Sequence, residues 1–358
     1  MKRKNLIAKK KVKIKQLIKN SKIQNFYNKF KLTISKDIKN KNFAVAVSGG
    51  SDSLCLAYFS KIYSLEYECK IHVLIVDHGL RSESYKEALK VKKILKNKKI
   101  QSKILRWKGK IPKNNIQKNA RDFRYLLISN YCIKNKIKYL ATAHHSDDQI
   151  ENFFIRLLRG SGLTGLASMH TNVKYSNNLK IVRPFLSFKK SDLKYVTLKY
   201  FKTYISDPSN KDEKFLRIRI RKYRNKMEKE GLDTRKIIKT VDNLASANRA
   251  LNFYKNKALY KHSSFLKKNK CLINKDLFLE EADEIVFKTF SDILSLVSGT
   301  YYPPRSKKII NLIERLKKDN FNKSTLGGCI IEKKFSSILI SKEVNLKKNK
   351  ITAKNVSI

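Results

Sequence analysis

Residues 43–54 read Phe43-Ala44-Val45-Ala46-Val47-Ser48-Gly49-Gly50-Ser51-Asp52-Ser53-Leu54, and this stretch decides the fold. Five consecutive apolar residues are too few for a helix and suit a strand buried on both faces of a parallel sheet. A Ser/Gly turn follows at once, and the spacing then predicts a helix from Ser53 to about Tyr63. Strand, glycine turn and helix in that order make a nest for a phosphate chain. The glycines let the backbone turn sharply and approach an anion. The helix start presents N–H groups and the positive end of its dipole. Ser48, Ser51 and Ser53 add hydroxyls. The stretch lacks the lysine of G-x-x-x-x-G-K-[ST], so it is not a Walker A loop. Asp52 would repel phosphate unless a cation stood between them, which points to Mg²⁺ bridging phosphate oxygens. The plain alternative is a β–α turn with a capped helix.

Working outward, Ile71 to Val76, Ile100 to Leu105 and Lys138 to Ala143 read as three more strands. Glu83–Leu95, Asn115–Ile133 and Ser146–Leu158 read as helices between and after them. Strands alternating with helices predict an α/β fold, a parallel sheet sandwiched by helices. Beyond Pro208 the alternation stops. Residues 214–260 are charged with helical spacing, and 270–345 mix helices with β-like segments at Cys329–Ile331 and Ser337–Ile340. Three regions are expected: a basic N-terminal arm or helix over 1–40, a nucleotide-binding catalytic domain over 41–210, and a helical to mixed C-terminal region over 211–358.

The chain carries 81 Lys+Arg against 29 Asp+Glu, a net +52, so a polyanionic partner such as nucleic acid is the first reading of the charge. A base composition that favours lysine codons is the competing one. Five cysteines stand at 55, 69, 132, 271 and 329 with no Cys-x-x-Cys pair, which argues for reduced thiols in a cytoplasm and against a zinc site or iron–sulfur cluster. No apolar run reaches 18 residues, so no membrane span is expected.

Several further segments carry chemistry. Val76-Asp77-His78-Gly79-Leu80-Arg81 ends the second strand, where open α/β sheets bind ligands. Arg121 and Arg124 in Ala120-Arg121-Asp122-Phe123-Arg124-Tyr125 are three apart on one helix and suit phosphate. In His144-His145-Ser146-Asp147-Asp148-Gln149-Ile150-Glu151-Asn152, Asp148 and Glu151 share a helix face and could hold Mg²⁺ or an ammonium; His144 could join them. Helix capping by Asp147 and Asp148 is the alternative. The glycines of Gly160-Ser161-Gly162-Leu163-Thr164-Gly165 follow a helix rather than a strand, so they do not mark a dinucleotide fold. With Arg156 and Arg159 they read as a loop beside the site. Asp207-Pro208-Ser209-Asn210 signals a turn before Arg217-Ile218-Arg219-Ile220-Arg221, where Arg217 and Arg221 align on a helix.

The strand-S-G-G-x-D-S-helix unit resembles the PP-loop of the N-type ATP pyrophosphatases, which cleave ATP between the α and β phosphates and adenylate a carbonyl oxygen. The segments together, with Arg183-Pro184-Phe185-Leu186, resemble the tRNA(Ile)-lysidine synthase family in order over about residues 43–222. Asn152 stands where that family usually has Thr, and Ile218 where Asn is common. Beyond 222 the likeness is weak, with Leu326-Gly327-Gly328 similar to a C-terminal element of the family. The resemblance implies ATP and Mg²⁺ as cofactors, and the isoleucine tRNA with a CAU anticodon and free L-lysine as partners. It implies a ligase that adenylates C2 of cytidine 34 and lets the lysine ε-amine displace AMP. It implies Ser48, Gly49, Gly50, Ser51, Asp52 and Ser53 as the nucleotide loop and Asp52 and Asp148 as holders of metal or ammonium. Arg121 would steady phosphate or the activated base, and His144 and Glu151 would position or deprotonate lysine. A PP-loop tRNA thiolase should need a relay cysteine or cluster, and an amidotransferase synthetase a glutaminase. A non-catalytic RNA-binding protein would have no use for Asp52, Asp148 and Glu151.

Overall fold

The computed structural model describes residues 16–343 apart from 19, 80–82, 108, 110–115, 168, 177, 207–212, 215, 301, 302, 319 and 320, and apart from the side chains of 116–118. The chain divides into two compact units, Met1–Asn243 and Leu244–Ile358.

In the first unit α1 (Ser21–Ser35) precedes β1 (Phe43–Val47), α2 (Ser51–Glu66), β2 (Ile71–Asp77), α3 (Ser84–Asn97), β3 (Ser102–Arg106), α4 (Ile116–Lys134) and β4 (Tyr139–Ala141). Then come α5 (Ser146–Leu157), the short α6 (Leu163–Leu166), a hairpin of β5 (Asn172–Ser176) and β6 (Leu179–Val182), α7 (Lys190–Phe201), α8 (Leu216–Lys229) and α9 (Thr234–His262), whose residues from Leu244 on belong to the second unit. The sheet runs β3-β2-β1-β4-β6-β5. All pairs are parallel except β5 on β6, an antiparallel edge. The chain winds outward from β1 in both directions, so β1 and β4 flank the point where strand order reverses.

The alternation within β1 builds both faces. Phe43, Val45 and Val47 point into a core shared with α1, α2, α3 and α7, whereas Ala44 joins Leu140, Ile181, Tyr125 and Ile128 under α4. The first core is largely aromatic. Phe30 sits 5.4 Å from Phe59 and 5.6 Å from Phe185, ring centre to ring centre, within the range of favourable aromatic pairs.

α1 falls within the basic arm or helix expected over 1–40, and it is a packed helix. Ile23, Tyr27, Phe30 and Ile34 are buried at helical spacing, Asn20 caps the helix by accepting from the Ile23 N–H, and the lysines lie on the outer side. The division at Asn243 falls later than the expected 210/211 boundary. α8 packs on α5 and buries Ile220, and Ile150, Ile237 and Val241 form a small core that adds the first turns of α9.

The second unit is more β-rich than its charged sequence suggested. The strands β7 (Ser263–Lys267), β8 (Lys270–Asn274), β9 (Lys323–Leu326), β10 (Cys329–Lys334) and β11 (Ser337–Lys342) form one antiparallel sheet in the order β7-β8-β11-β10-β9. With α10 (Asp276–Glu280) between β8 and the next helix, α11 (Asp283–Ser298) and α12 (Ser306–Leu316) bury Phe290, Ile293, Leu294, Ile309 and Leu312 against Ile273, Ile331, Ile338 and Ile340. No helix among the described residues is long and apolar enough to cross a membrane.

Because Phe30 is fully buried, Phe30→Ala should cost about 3–5 kcal/mol of stability. Urea denaturation measures it, and a loss below about 1 kcal/mol would return α1 to the status of an appendage.

Candidate active site

A cleft of about 320 Å³ opens at the carboxyl ends of β1, β2 and β4. That is the place and the size expected for a small-molecule site in such a sheet. Ser48, Gly50, Asp52 and Ser53 line it after β1, His78 after β2, and Thr142 and His144 after β4; Asp148, Arg121, Arg124 and Arg217 complete the wall.

The glycine loop is held from three sides. Gly49 has φ +90°, and a Cβ there would lie 2.4 Å from Val91 Cγ2 of α3. The Ile205 N–H donates to the Gly49 carbonyl at 2.9 Å, and the Thr197 hydroxyl donates to that of Ser51 at 2.6 Å. Gly50 is different: its φ is −68°, and a Cβ would meet nothing nearer than Ser48 Oγ at 3.8 Å. Gly49 is demanded by the turn, while Gly50 leaves bare backbone facing the cleft.

The hydroxyls are mostly engaged inside the loop. Ser53 Oγ accepts from the N–H groups of Ser48 (3.2 Å) and Gly49 (3.1 Å) and donates to the Gly50 carbonyl (3.0 Å). Ser51 Oγ donates to Asp52 Oδ1 at 3.0 Å. The donors that remain for an anion are chiefly the first N–H groups of α2, which have no intrahelical acceptor.

Carboxylates gather around His145, a residue the sequence reading passed over. Its Nε2 lies 3.6 Å from Asp52 Oδ2 and 3.5 Å from Asp148 Oδ2, and its Nδ1 3.6 Å from Asp147 Oδ2. Burial alone would lower its pKa, but the close approach of Asp52 and the charges of Asp148, Asp52 and Asp147 outweigh it and raise it. For Asp148, burial pushes the pKa up, yet His145, His144, the His145 N–H and Arg217 bring it below the usual value. Asp148 Oδ2 also accepts from that N–H at 3.0 Å, so one carboxylate closes the first turn of α5 and faces the cleft.

His144 behaves in the opposite way. Burial pushes its pKa down to about 4, with Arg183, Arg121 and Arg217 acting in the same direction and Asp148 against it. It is therefore neutral at pH 7. Its Nδ1 is 3.0 Å from Thr142 Oγ1, which leaves Nε2 for a ligand.

Glu151 stands behind the cleft rather than in its wall. It is 1% exposed, its Oε1 accepts from Arg221 Nε at 2.8 Å, and its Oε2 has no hydrogen-bond partner among the described residues. One turn on, Arg224 Nη1 donates to Asp147 Oδ1 at 3.1 Å. Arg217, Arg221 and Arg224 follow helical spacing, and the last two clamp α5 to α8. That periodicity is visible in the sequence and could have led to Arg224.

The Arg183–Leu186 segment is a strap. The Leu186 carbonyl accepts from Gln149 Nε2 at 3.0 Å, and the nearby Phe188 carbonyl accepts from the Ser146 N–H at 3.0 Å and hydroxyl at 2.8 Å. Asp77 turns inward, where its Oδ1 accepts from the Gly79 N–H (3.0 Å) and the Ser84 hydroxyl (2.7 Å), while His78 reaches the cleft. Arg156, Arg159 and the glycines of 160–165 follow the far end of α5 and do not line the cleft. Leu80, Arg81 and Asp207–Asn210 lie outside the described residues.

Residues 15–227 match the PP-loop domain family. The tRNA(Ile)-lysidine synthase of Orientia tsutsugamushi (strain Boryong) is 36% identical over 85% of this chain and 70% of its own length. That of Wolbachia pipientis wMel is 35% identical over 85% and 71%, and that of Rickettsia prowazekii (strain Madrid E) 32% over 90% and 75%. Among solved structures, the U34-tRNA thiolase NcsA from Methanococcus maripaludis, with its [4Fe-4S] cluster, superposes with a TM-score of 0.53 at 19% identity, covering 63% of this chain and 80% of that one. This last likeness speaks for the fold alone.

Gly49→Ala meets both a positive φ and a 2.4 Å clash, so it should destabilise the unit by about 1–3 kcal/mol and weaken ATP binding. Calorimetric melting with and without ATP checks this, and an unchanged protein would show that the turn tolerates a side chain. The His144 pKa falls on folding, from 6.5 to about 4. The folded state therefore binds fewer protons, and the stability this contributes is complete above pH 6.5 and lost as pH falls toward 4. Urea midpoints of wild type should drop across that window relative to His144→Asn; parallel curves would mean the ring is not held neutral.

Proposed function

The chain belongs to the tRNA(Ile)-lysidine synthase family of PP-loop ATP-binding enzymes, and we propose that the cleft carries out that family's carbon–nitrogen ligation. ATP is cleaved to AMP and diphosphate. The C2 oxygen of cytidine 34, in the CAU anticodon of tRNA(Ile), attacks the α-phosphate and pyrophosphate leaves. The ε-amine of free L-lysine then attacks C2 and AMP departs. The observation that carries this reading is the convergence of the anion loop, a carboxylate pair, a neutral histidine and three arginines on one cleft.

The N–H groups at the start of α2 hold the leaving pyrophosphate. Arg121, with Arg124 and Arg217 along the same wall, balances phosphate charge and steadies the activated base. Asp52 and Asp148, two hard oxygen donors on the cleft wall, would hold a divalent cation together with phosphate oxygens of the nucleotide. When bound, Mg²⁺ neutralises charge on the leaving phosphates. The lysine amine arrives as an ammonium, which cannot attack, so a base must take a proton. His144 is neutral and has Nε2 free of Thr142, which suits that role. Glu151 acts as a positioning residue through Arg221.

Basic surfaces on 1–40 and beyond 210 grip the RNA backbone. The five cysteines are buried and free, which suits a reducing cytoplasm, and none lines the cleft, where a thiolase would need sulfur.

The test is incorporation of radiolabelled lysine into tRNA(Ile) transcripts bearing CAU, with ATP and Mg²⁺, against a C34→U transcript. Label confined to the first supports the reaction and its site. AMP release that depends on tRNA without label would refute the nucleophile and keep the adenylation. Asp52→Ala should slow adenylation by about 100-fold or more while tRNA affinity stays within about twofold. A large loss of tRNA binding would show that Asp52 serves the RNA instead.

A further inference from the structure

The β10–β11 hairpin closes with Lys334 paired to Ser337, so Phe335 and Ser336 form a two-residue loop. Such loops call for positive φ and favour Asn or Gly. Phe335 adopts φ 52° with its side chain 96% exposed. A bulky residue in the left-handed region is an outlier, and an aromatic ring left in water adds a second cost. Neither cost is returned by contacts within the described unit.

The surroundings indicate what the ring meets. Lys333 and Lys334 precede it in the hairpin. On one side the Lys275 N–H donates to the Ser336 carbonyl, and on the other the Asn322 carbonyl accepts from the Lys333 N–H, next to Lys323. Lys275, Lys323, Lys333 and Lys334 thus stand in and beside the hairpin tip, where Glu332 pairs with Lys323 at 2.7 Å and Asp276 accepts from Asn274. Residues 244–343 as a whole hold 19 Lys+Arg and 10 Asp+Glu. An exposed ring inside a cationic rim matches a nucleic-acid strand, whose bases stack on aromatic faces while its phosphates pair with the lysines.

We propose that Phe335 is a stacking residue for an unpaired nucleotide of the RNA substrate, with Lys333, Lys334 and Lys275 holding the adjoining phosphates. It rests on the tRNA reading above and adds a base contact outside the catalytic cleft.

The experiment is tRNA binding by the full chain over a salt series, with Phe335→Ala, Phe335→Trp, Phe335→Asn and the double variant Lys333→Ala/Lys334→Ala. Phe335→Ala should weaken binding about 5- to 100-fold without changing the salt slope. Phe335→Trp should restore it, and the lysine double variant should lower the slope. Phe335→Asn should melt no lower than wild type, since it suits the turn. Phe335→Ala binding tRNA within about twofold of wild type, or Phe335→Asn melting lower, overturns the assignment. So does a Phe335→Ala protein that loses binding to anionic phospholipid vesicles and keeps tRNA. Lysine incorporation by the wild type, measured alongside, separates the two readings. Incorporation with an inert Phe335 sinks only the stacking role, and a Phe335-dependent complex that never incorporates lysine sinks only the reaction.

Discussion

Everything in the first unit hangs on the reversal of strand order between β1 and β4. Neighbouring strands there send their continuing chains to opposite sides of the sheet, so their carboxyl ends part and leave a crevice. The loop after β1 supplies an anion nest, and the one after β4 supplies His144 and the carboxylates that begin α5. Gly49 fits this geometry to the packing, because its missing Cβ lets α3 press Val91 against the turn. The crevice is therefore a by-product of winding, and the loop is shaped to it.

A second constraint is electrostatic. Asp52, Asp147 and Asp148 lie close together and would repel one another without cations. In this structure His145 stands among them, and Arg224 and Arg217 flank the group. Behind it Glu151 is buried on Arg221, so taking Arg221 away would leave a buried carboxylate without its partner, at a cost of about 3–5 kcal/mol. The cost of such pairs buys orientation: α8 is locked to α5, and Arg217 is carried into the cleft wall. In a chain of net +52, the acidic group is the local exception.

Much of this was legible before any coordinates. The apolar run Phe43–Val47, the Ser/Gly turn and the alternation through Ala143 follow from periods of 2 and 3.6, which are local properties. The loop residues, Arg121, His144 and Asp148 could be read because each lies just after a strand or on a helix face facing one. The short hairpin β5–β6 escaped notice because its residues mix polar and apolar types at an edge. β7 and β8 hid among lysines that the exposed face of a sheet accepts freely. In α1 lysines outnumber acids, and four apolar residues on one stripe decide its place.

What the sequence by itself determined was the kind of chemistry, since residue types and spacings near strand ends follow from backbone geometry that every such turn shares. Tertiary structure alone decided which groups act together. Ser53 is turned into its own loop, Asp77 accepts from the Ser84 hydroxyl, and Glu151 is claimed by Arg221 seventy residues on. His145, passed over beside His144, and Arg224, on the arginine spacing of α8, stand against the carboxylates. Partners that far apart in the chain are chosen by packing and desolvation, which act on the folded volume and leave no trace in local spacing.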